Sequence, residues 1–467
     1  MKKTLLTLAV LLVIVFAFAG CTVPENPSAT PTPSEQPREV AIKAGDVYRY
    51  FHWNTMDENE PFKNSTRAEE EIQKWNDFQE KYGITIKYVK SPGGYYWQDL
   101  PLSAAASGEP ICDIFCVGGP YVVLETVFYN NQLGNCVIPL DDYSQYATFD
   151  DPDFWDQGSQ AACTFNGKLY CAVPQNNGAA TVSSNTVTIF NQELLAKAGY
   201  SKEHLYQLSK DGQWDWDTFA DAAVKCSEPD SNIYGTTLGD NVALGSALVV
   251  TNGGHYFERT QTGDVFVGNK TEAVEAWDFI VELANKNAVD TSGATENNSF
   301  GTGKVAMLVS TISRLEQIYN YLGFDYGIIN PPKGPKANDY ISEMNWFVPY
   351  SVMRGANNPA GAVQVLYEYF APKYGINTPE NQMLMESELS IFLPEQGSLD
   401  TALNITKYTS SENYFLYQTV SDGEIQMLSY LYGNVWKFIS GEESPQIFYD
   451  SVEDKVNSLI TSVQAKG

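Results

Sequence analysis

The stretch DVYRYFHW, residues 46–53, reads as a strand that ends in polar and aromatic side chains. Its continuation decides the fold. Ala68, Ile72, Trp75, Phe78 and Tyr82 recur at three- and four-residue spacing, which predicts a helix over 66–82, with Thr66 and Glu69 as a capping box. ITIKYVK (84–90) predicts a second strand, and after a further helical run CDIFCVG (112–118) predicts a third. Strand, helix, strand, helix, strand is the order of a parallel sheet covered by helices.

A second region of the same kind begins past Pro174. TVTIFNQELLAKAGY (186–200) predicts a strand and then a helix. GQWDWDTFADAAVKC (212–226) carries a strong helix start, in which Asp215 caps, Thr218 falls at the third position and Trp214 staples onto Phe219. YGTTLGD (234–240) and MNWFVPYSVM (344–353) predict further strands. PAGAVQVLYEYF (359–370) predicts an amphipathic helix with Pro359 in its first turn and Val363, Leu366 and Phe370 on one face. Two α/β units whose segments interleave are expected, and no internal repeat is present.

Toward the N-terminus the composition changes. Lys2 and Lys3 precede an apolar run from Leu5 to Phe18, and Ala19 and Gly20 precede Cys21. The run is short for a hydrocarbon core of about 30 Å, so it reads as a secretory signal over residues 1–20 rather than a span. The ending FAGC resembles a bacterial lipobox, in which Cys21 would be lipidated; an ordinary signal peptide with a chance cysteine is the alternative. Prolines at 24, 27, 31, 33 and 37 make residues 21–38 an extended tether of roughly 50 Å at about 3.1 Å per residue.

More than 400 residues lie beyond the tether, enough for two or three domains. The formal charge is −28, and losing Lys2 and Lys3 with the signal makes it −30. So acidic a body is repelled by nucleic acid, which is excluded as a partner, and by anionic lipid heads. Cys112 and Cys116 share one predicted strand, where four residues span about 13 Å, too far for a disulfide. Cys163 and Cys171 flank TFNGKLY, a hairpin signal built on Asn166-Gly167. A three-residue loop would set these two opposite each other, whereas a two-residue loop would put them on different faces and leave buried free thiols. No Cys/His cluster has zinc spacing, so no metal and no cofactor is expected.

Seven segments, in order, resemble the extracellular solute-binding proteins of sugar-type ABC importers, the maltose-binding-protein-like family. They are GKLYCAVPQ (167–175), GQWDWDTFADAAVK, TNGGHYF (251–257), FGTGKVAML (300–308), FDYGIINPPKGPKA (324–337), RGANNPAGAVQVLYEYF (354–370) and IFLPEQGSL (391–399). The resemblance implies a type II two-lobed periplasmic-binding-protein-like α/β fold that closes on a solute between its lobes. It implies crossings near Pro174, near Phe347 to Tyr350 and near Leu393 to Gly397. Lobe one would be 39–174 plus 351–393, and lobe two 175–350 plus 394–467. It further implies a monomer that binds a carbohydrate and meets ABC permease subunits, held to the outer face of the cell membrane by the lipid on Cys21.

A sugar has apolar faces and a rim of hydroxyls, so it calls for aromatic platforms and for Asp, Asn, Gln or Arg as hydrogen-bonding partners. Ligands in open α/β sheets sit beyond the carboxyl ends of strands. That rule selects Trp53 and Asn54 after the first strand, Tyr121 after CDIFCVG, Asn177 at the first crossing, Asp240 and Asn241 after YGTTLGD, and Trp346 at the second crossing. Packing into a lobe core is the alternative for each aromatic. His52, Gln175 and one of Tyr95, Tyr96 and Trp97 are secondary candidates. Where the family commonly carries a stacking tryptophan this chain has Ser313, followed by Arg314. Arg314 would admit an acidic sugar, or it is a helix-surface arginine. Asp150, Asp151, Asp153 and Asp156 form either a solvated acidic loop or a calcium site.

Catalysis is the competing class. The chain has no G-x-S-x-G, H-E-x-x-H or Walker motif, and its three histidines, His52, His204 and His255, lie in no catalytic pattern. No enzyme is expected. A receptor for a peptide or a polyol phosphate, or one serving a sensor, remains a second reading.

Overall fold

The computed structural model describes residues 39–52, 57, 62, 67–91, 103–104, 107–116, 136–165, 167–260, 263–344, 347–411, 431 and 435–464. Residues 1–38 lie outside them, so the signal, Cys21 and the tether receive no structural description. Among the described residues no helix is long and apolar enough to cross a membrane.

The three strands predicted from the opening stretch form one parallel layer. β1 (Val47–His52) lies between β2 (Thr85–Val89) and β3 (Ile114–Cys116), parallel to both. Period-two alternation splits the side chains between two buried faces. Tyr48 and Tyr50 pack with Ile86, Ile114 and the helix Pro359–Phe370, while Phe51 stacks on Phe115 at 5.1 Å on the other side. The helix Ala68–Tyr82 covers the first face with Phe78. It begins after Arg67 without a side-chain cap, and the expected capping residue Thr66 lies outside the described residues. Ile72, expected on its inner face, is 43% exposed, because the covering contact is made one turn and more further on, at Trp75 and Phe78.

Two short hairpins and a second sheet come after this layer. β4 (Thr164–Phe165) pairs with β5 (Lys168–Leu169) in the two-residue register. The Cys163 and Cys171 thiols nonetheless lie within hydrogen-bonding reach of each other, and both are free and buried, as are Cys112, Cys116, Cys136 and Cys226. β6 (Thr186–Asn191), β7 (Tyr234–Thr237), the hairpin of β8 (Phe257–Thr260) with β9 (Gly263–Phe266), β10 (Val289–Asp290), β11 (Val305–Thr311) and β12 (Tyr326–Ile329) come next. The second sheet runs β10-β7-β11-β6-β12, with β10, β7 and β11 parallel and β6 antiparallel to both its neighbours. Both its faces are buried, with Val187, Ile189 and Leu308 on one and Phe190, Met307 and Val309 on the other. The helix Trp216–Cys226 packs beside it, and its start is as expected: the Asp215 carboxylate accepts the Thr218 N–H at 2.9 Å, and Trp214 meets Phe219 edge-on at 5.9 Å.

MNWFVPYSVM is not one strand but two. β13 (Ser342–Met344) pairs with β15 (Thr409–Ser411), whereas β14 (Tyr350–Val352) joins the first sheet antiparallel to β3. Pro349 stands between them and has no N–H to continue a ladder. The chain thus passes between units here, and Tyr350 exchanges both backbone hydrogen bonds with Ala172 of the earlier passage, at 2.8 and 2.9 Å. A third passage occupies residues 371–378. Ahead of it, Pro359–Phe370 packs on the first sheet; after it, the helix Pro379–Leu389 buries Met385 and Leu389 with Val187 and Ile189 of the second. The sequence reading put that passage later, at 393–397.

Asp113, 1% exposed, ties β1 to the start of β3. Its carboxylate accepts the Arg49 backbone N–H at 2.7 Å, the Arg49 guanidinium at 3.1 and 3.2 Å and the Asn357 N–H at 3.3 Å. Asp113→Ala leaves these donors facing an empty site and is expected to cost about 2 kcal/mol. Calorimetric melting measures this, and an unchanged melting temperature would show that the donors find other partners.

Candidate ligand-binding site

The carboxyl ends of β1 and β3 in the first unit, and of β7 and β11 in the second, are where side chains are free to leave the sheets. β1 ends at His52, whose ring lies 6.2 Å from Tyr50. Burial holds its imidazole down to about 4, so it is neutral at ordinary pH. β3 ends at Cys116, and burial pushes that thiol up to about 12. Trp53, Asn54, Tyr121 and Trp346, the expected ligand contacts that come after these strand ends or precede β14, lie outside the described residues, as do Tyr95, Tyr96 and Trp97.

At the first crossing the structure gives Asn177 another task. Its amide accepts the Tyr374 N–H at 3.0 Å and donates to the Tyr374 carbonyl at 2.8 Å, clipping the first passage to the third. An amide spent on both groups of one residue has little left for a ligand. Gln175 likewise donates to the Pro152 carbonyl at 3.1 Å. The next residue after Asn177, Gly178, has φ +62°, and a Cβ there would lie 2.0 Å from Glu388 Oε2. Glu388 needs that space, because it receives the Ala179 N–H at 2.8 Å and the Arg67 guanidinium at 2.7 Å.

In the second unit the strand ends converge on a charged network. Asp240 comes after β7, and Arg314 sits in the helix Ile312–Ile318 directly after β11, parallel to β7. Arg314 Nη2 donates to Asp240 Oδ2 at 2.9 Å, Nη1 donates to Gln317 Oε1 at 3.1 Å, and Nε faces Glu296 Oε2 at 2.5 Å. Glu296, only 2% exposed in its side chain, also accepts the Ser310 hydroxyl at 3.2 Å and the Asp240 N–H at 3.3 Å through Oε1. Burial raises its carboxyl above the usual range, and Arg314 opposes that. Gly239 enters this loop at φ +75°, where a Cβ would come within 3.0 Å of Glu296 Oε1. Asn241 belongs to the same short turn, Asp240–Val242.

Arg314 is thus not a helix-surface arginine. Glu296 was missed altogether from sequence; it stands in a polar run, TENNS, with no spacing signal, and only the fold brings it beneath Asp240 and Arg314. The acidic loop also resolves into separate tasks. Asp156 caps the helix Gln157–Ala162, Asp151 accepts the Asp153 N–H at 3.0 Å, and Asp153 accepts the Asn377 amide at 2.9 Å. Among the described residues no three His, Cys, Asp or Glu side chains are grouped to hold a metal. A groove of about 1100 Å³ between the helices Ala68–Tyr82 and Pro359–Phe370 lies away from the β7 and β11 ends, and its Lys81 and Lys373 are paired with Glu368 and Glu70.

Residues 63–375 match the family described as bacterial extracellular solute-binding protein, about two thirds of the chain. The chain belongs to that family. Such proteins are the solute-capturing components of ABC transporters and work outside the cytoplasm. None of the curated protein sequences matches this one. Solved structures share its two-lobed type II fold at low identity. An ABC substrate-binding protein from Listeria monocytogenes in complex with cycloalternan is 16% identical, with 89% of this chain and 99% of that chain covered at a TM-score of 0.59. A cyclic alpha-maltosyl-1,6-maltose binding protein from Arthrobacter globiformis is 14% identical over 89% and 99%, with a TM-score of 0.64. UgpB from Mycobacterium tuberculosis in complex with glycerophosphocholine is 14% identical over 89% and 98%, with a TM-score of 0.60.

In this solute-binding protein His52 makes one pH dependence explicit. Its folded value, about 4, lies below the ordinary 6.5, so between those values the unfolded chain binds a proton that the folded chain refuses. Stability from this residue is complete above pH 6.5 and declines as pH falls toward 4. His52→Gln is expected to flatten the melting-temperature profile across that window; parallel profiles would show that the imidazole charges within the fold.

Proposed function

We propose that this solute-binding protein captures a carbohydrate between its lobes and delivers it to a membrane permease, acting as a monomer tethered through a lipid on Cys21. The observation that carries the reading is the meeting of two strand-end layers at the paired crossings. In the first lobe the strand ends lead in sequence to Trp53, Asn54 and Tyr121, and in the second to Asp240 and Asn241. With Trp346 this supplies aromatic faces and hydrogen-bonding edges, the two things a sugar requires. Of the structurally similar proteins, one is named for binding cyclic alpha-maltosyl-1,6-maltose and another is in complex with cycloalternan, which supports the same class. Glycerophosphocholine, bound by UgpB, represents the alternative, a polyol phosphate.

A ligand that binds only the folded protein raises its melting temperature by mass action. Residues 39–467 are expected to shift with at least one neutral mono- or oligosaccharide, and Trp346→Ala to weaken that binding about tenfold, roughly 1.4 kcal/mol. A shift with peptides or glycerophosphocholine and with no saccharide would overturn the substrate class. For the anchor, Cys21→Ala is expected to move the protein from the membrane fraction to the medium; retention on the membrane would rule the lipid out.

A further inference from the structure

The Asp240–Arg314–Glu296 network bears on which solutes the second lobe accepts, given the carbohydrate reading above. A free arginine in a binding cleft grips phosphate or carboxylate with two parallel N–H groups. Here the guanidinium is already engaged from within. The Nε side faces Glu296 at 2.5 Å, Nη2 is on Asp240 at 2.9 Å and Nη1 on Gln317 at 3.1 Å. Two carboxylates stand against one guanidinium, so an approaching anion meets an excess of negative charge.

The same group is well made for hydroxyls. Asp240 and Arg314 keep 33% and 27% of their side chains exposed, while Glu296 is buried beneath them. An exposed carboxylate oxygen beside an exposed N–H offers an acceptor and a donor a few ångströms apart, the pattern that adjacent hydroxyls of a sugar satisfy. The pair is fixed in advance. Asp240 Oδ1 accepts the Glu296 N–H at 3.1 Å, Thr311 caps the Arg314 helix at 3.2 Å, and Val242 holds an unusual φ of +58° in the connecting turn. Little ordering is left to be done when a ligand arrives.

We infer that Asp240 and Arg314, positioned by buried Glu296, form a charge-selective subsite that takes the hydroxyl edge of an uncharged solute and turns away anionic ones. Glu296 is a positioning residue, since Asp240 and Arg314 stand between it and the solvent.

The test uses the full chain and two probes, glycerol 3-phosphate as the anion and maltotetraose as the neutral saccharide, with affinities read by calorimetric titration. The parent protein is expected to show no glycerol 3-phosphate binding at millimolar concentration. Asp240→Asn, which removes one carboxylate and frees part of the guanidinium, is expected to gain it at least tenfold. Glu296→Gln should give the same gain, and Arg314→Gln added to Asp240→Asn should abolish it. Melting temperatures without ligand establish that each variant is folded, and Asp240→Asn, altering a partly exposed side chain, is the variant least tied to the core. Tight glycerol 3-phosphate binding by the parent, or none by folded Asp240→Asn, would overturn the inference. Gained anion binding alongside failure of every neutral saccharide would instead uphold the charge rule and remove the carbohydrate reading.

Discussion

Two passages of chain between the lobes hydrogen-bond to each other, and the arrangement of the molecule rests on that contact. Ala172 and Tyr350 exchange backbone N–H and carbonyl groups across 178 residues of sequence. The first passage is further held by Trp155 and Pro174 side by side, with the Asp156 N–H donating to the Val173 carbonyl at 2.8 Å. The third joins it through the Asn177 amide and through Ile376, whose N–H reaches the Asp153 carbonyl at 2.8 Å. Three segments bound in one place restrict relative movement of the lobes to small dihedral changes at that point, the arrangement of a hinge. Ligand contacts on each side keep their internal geometry while the distance between them changes.

Two arginine–carboxylate groups show how burial assigns different work to the same chemistry. Asp113 is enclosed, and every hydrogen bond it accepts comes from the sheet and the turn around it. Its charge is balanced by Arg49, and the arrangement sets the register of β1 against β3. Asp240 has the same kind of partner but stands at a strand end, a third exposed. Buried ion pairs of either kind repay their desolvation only when geometry is good. Here Glu296 Oε1 receives a hydroxyl and a backbone N–H, while Oε2 has the Arg314 charge at 2.5 Å without a hydrogen bond, so its burial is offset by charge as much as by hydrogen bonding.

Local signals were legible in the sequence and remote ones were not. Capping by Asp215 and the Trp214–Phe219 contact involve residues five apart or fewer, so spacing alone disclosed them. Parallel strands buried on both faces showed as short apolar runs, and motif order disclosed the family. The break at Pro349 was missed because the apolar pattern runs through it, although proline's missing N–H could have been weighed. Glu296 under Asp240, Glu388 on Arg67 and Asn177 on Tyr374 join residues 56 to 321 positions apart. Such pairs leave no periodicity, and each draws on residue types common everywhere on the surface of an acidic protein. The Asn177 contact with Tyr374 went unseen for that reason, since a polar residue at a crossing serves a clip as readily as a ligand.

The buried thiols divide unequally. Cys112, Cys116, Cys136, Cys163 and Cys171 lie with the first sheet and the passage beside it, and Cys226 alone ends a helix of the second lobe. Shielded sulfur reacts with an alkylating reagent only when its surroundings open. The chain therefore contains a separate clock for each half. Mass increments at Cys226 time the loosening of one lobe and those at Cys112 and Cys116 time the other. Comparing them tells whether the halves come apart as a single cooperative unit or one after the other, without any label being engineered into the protein.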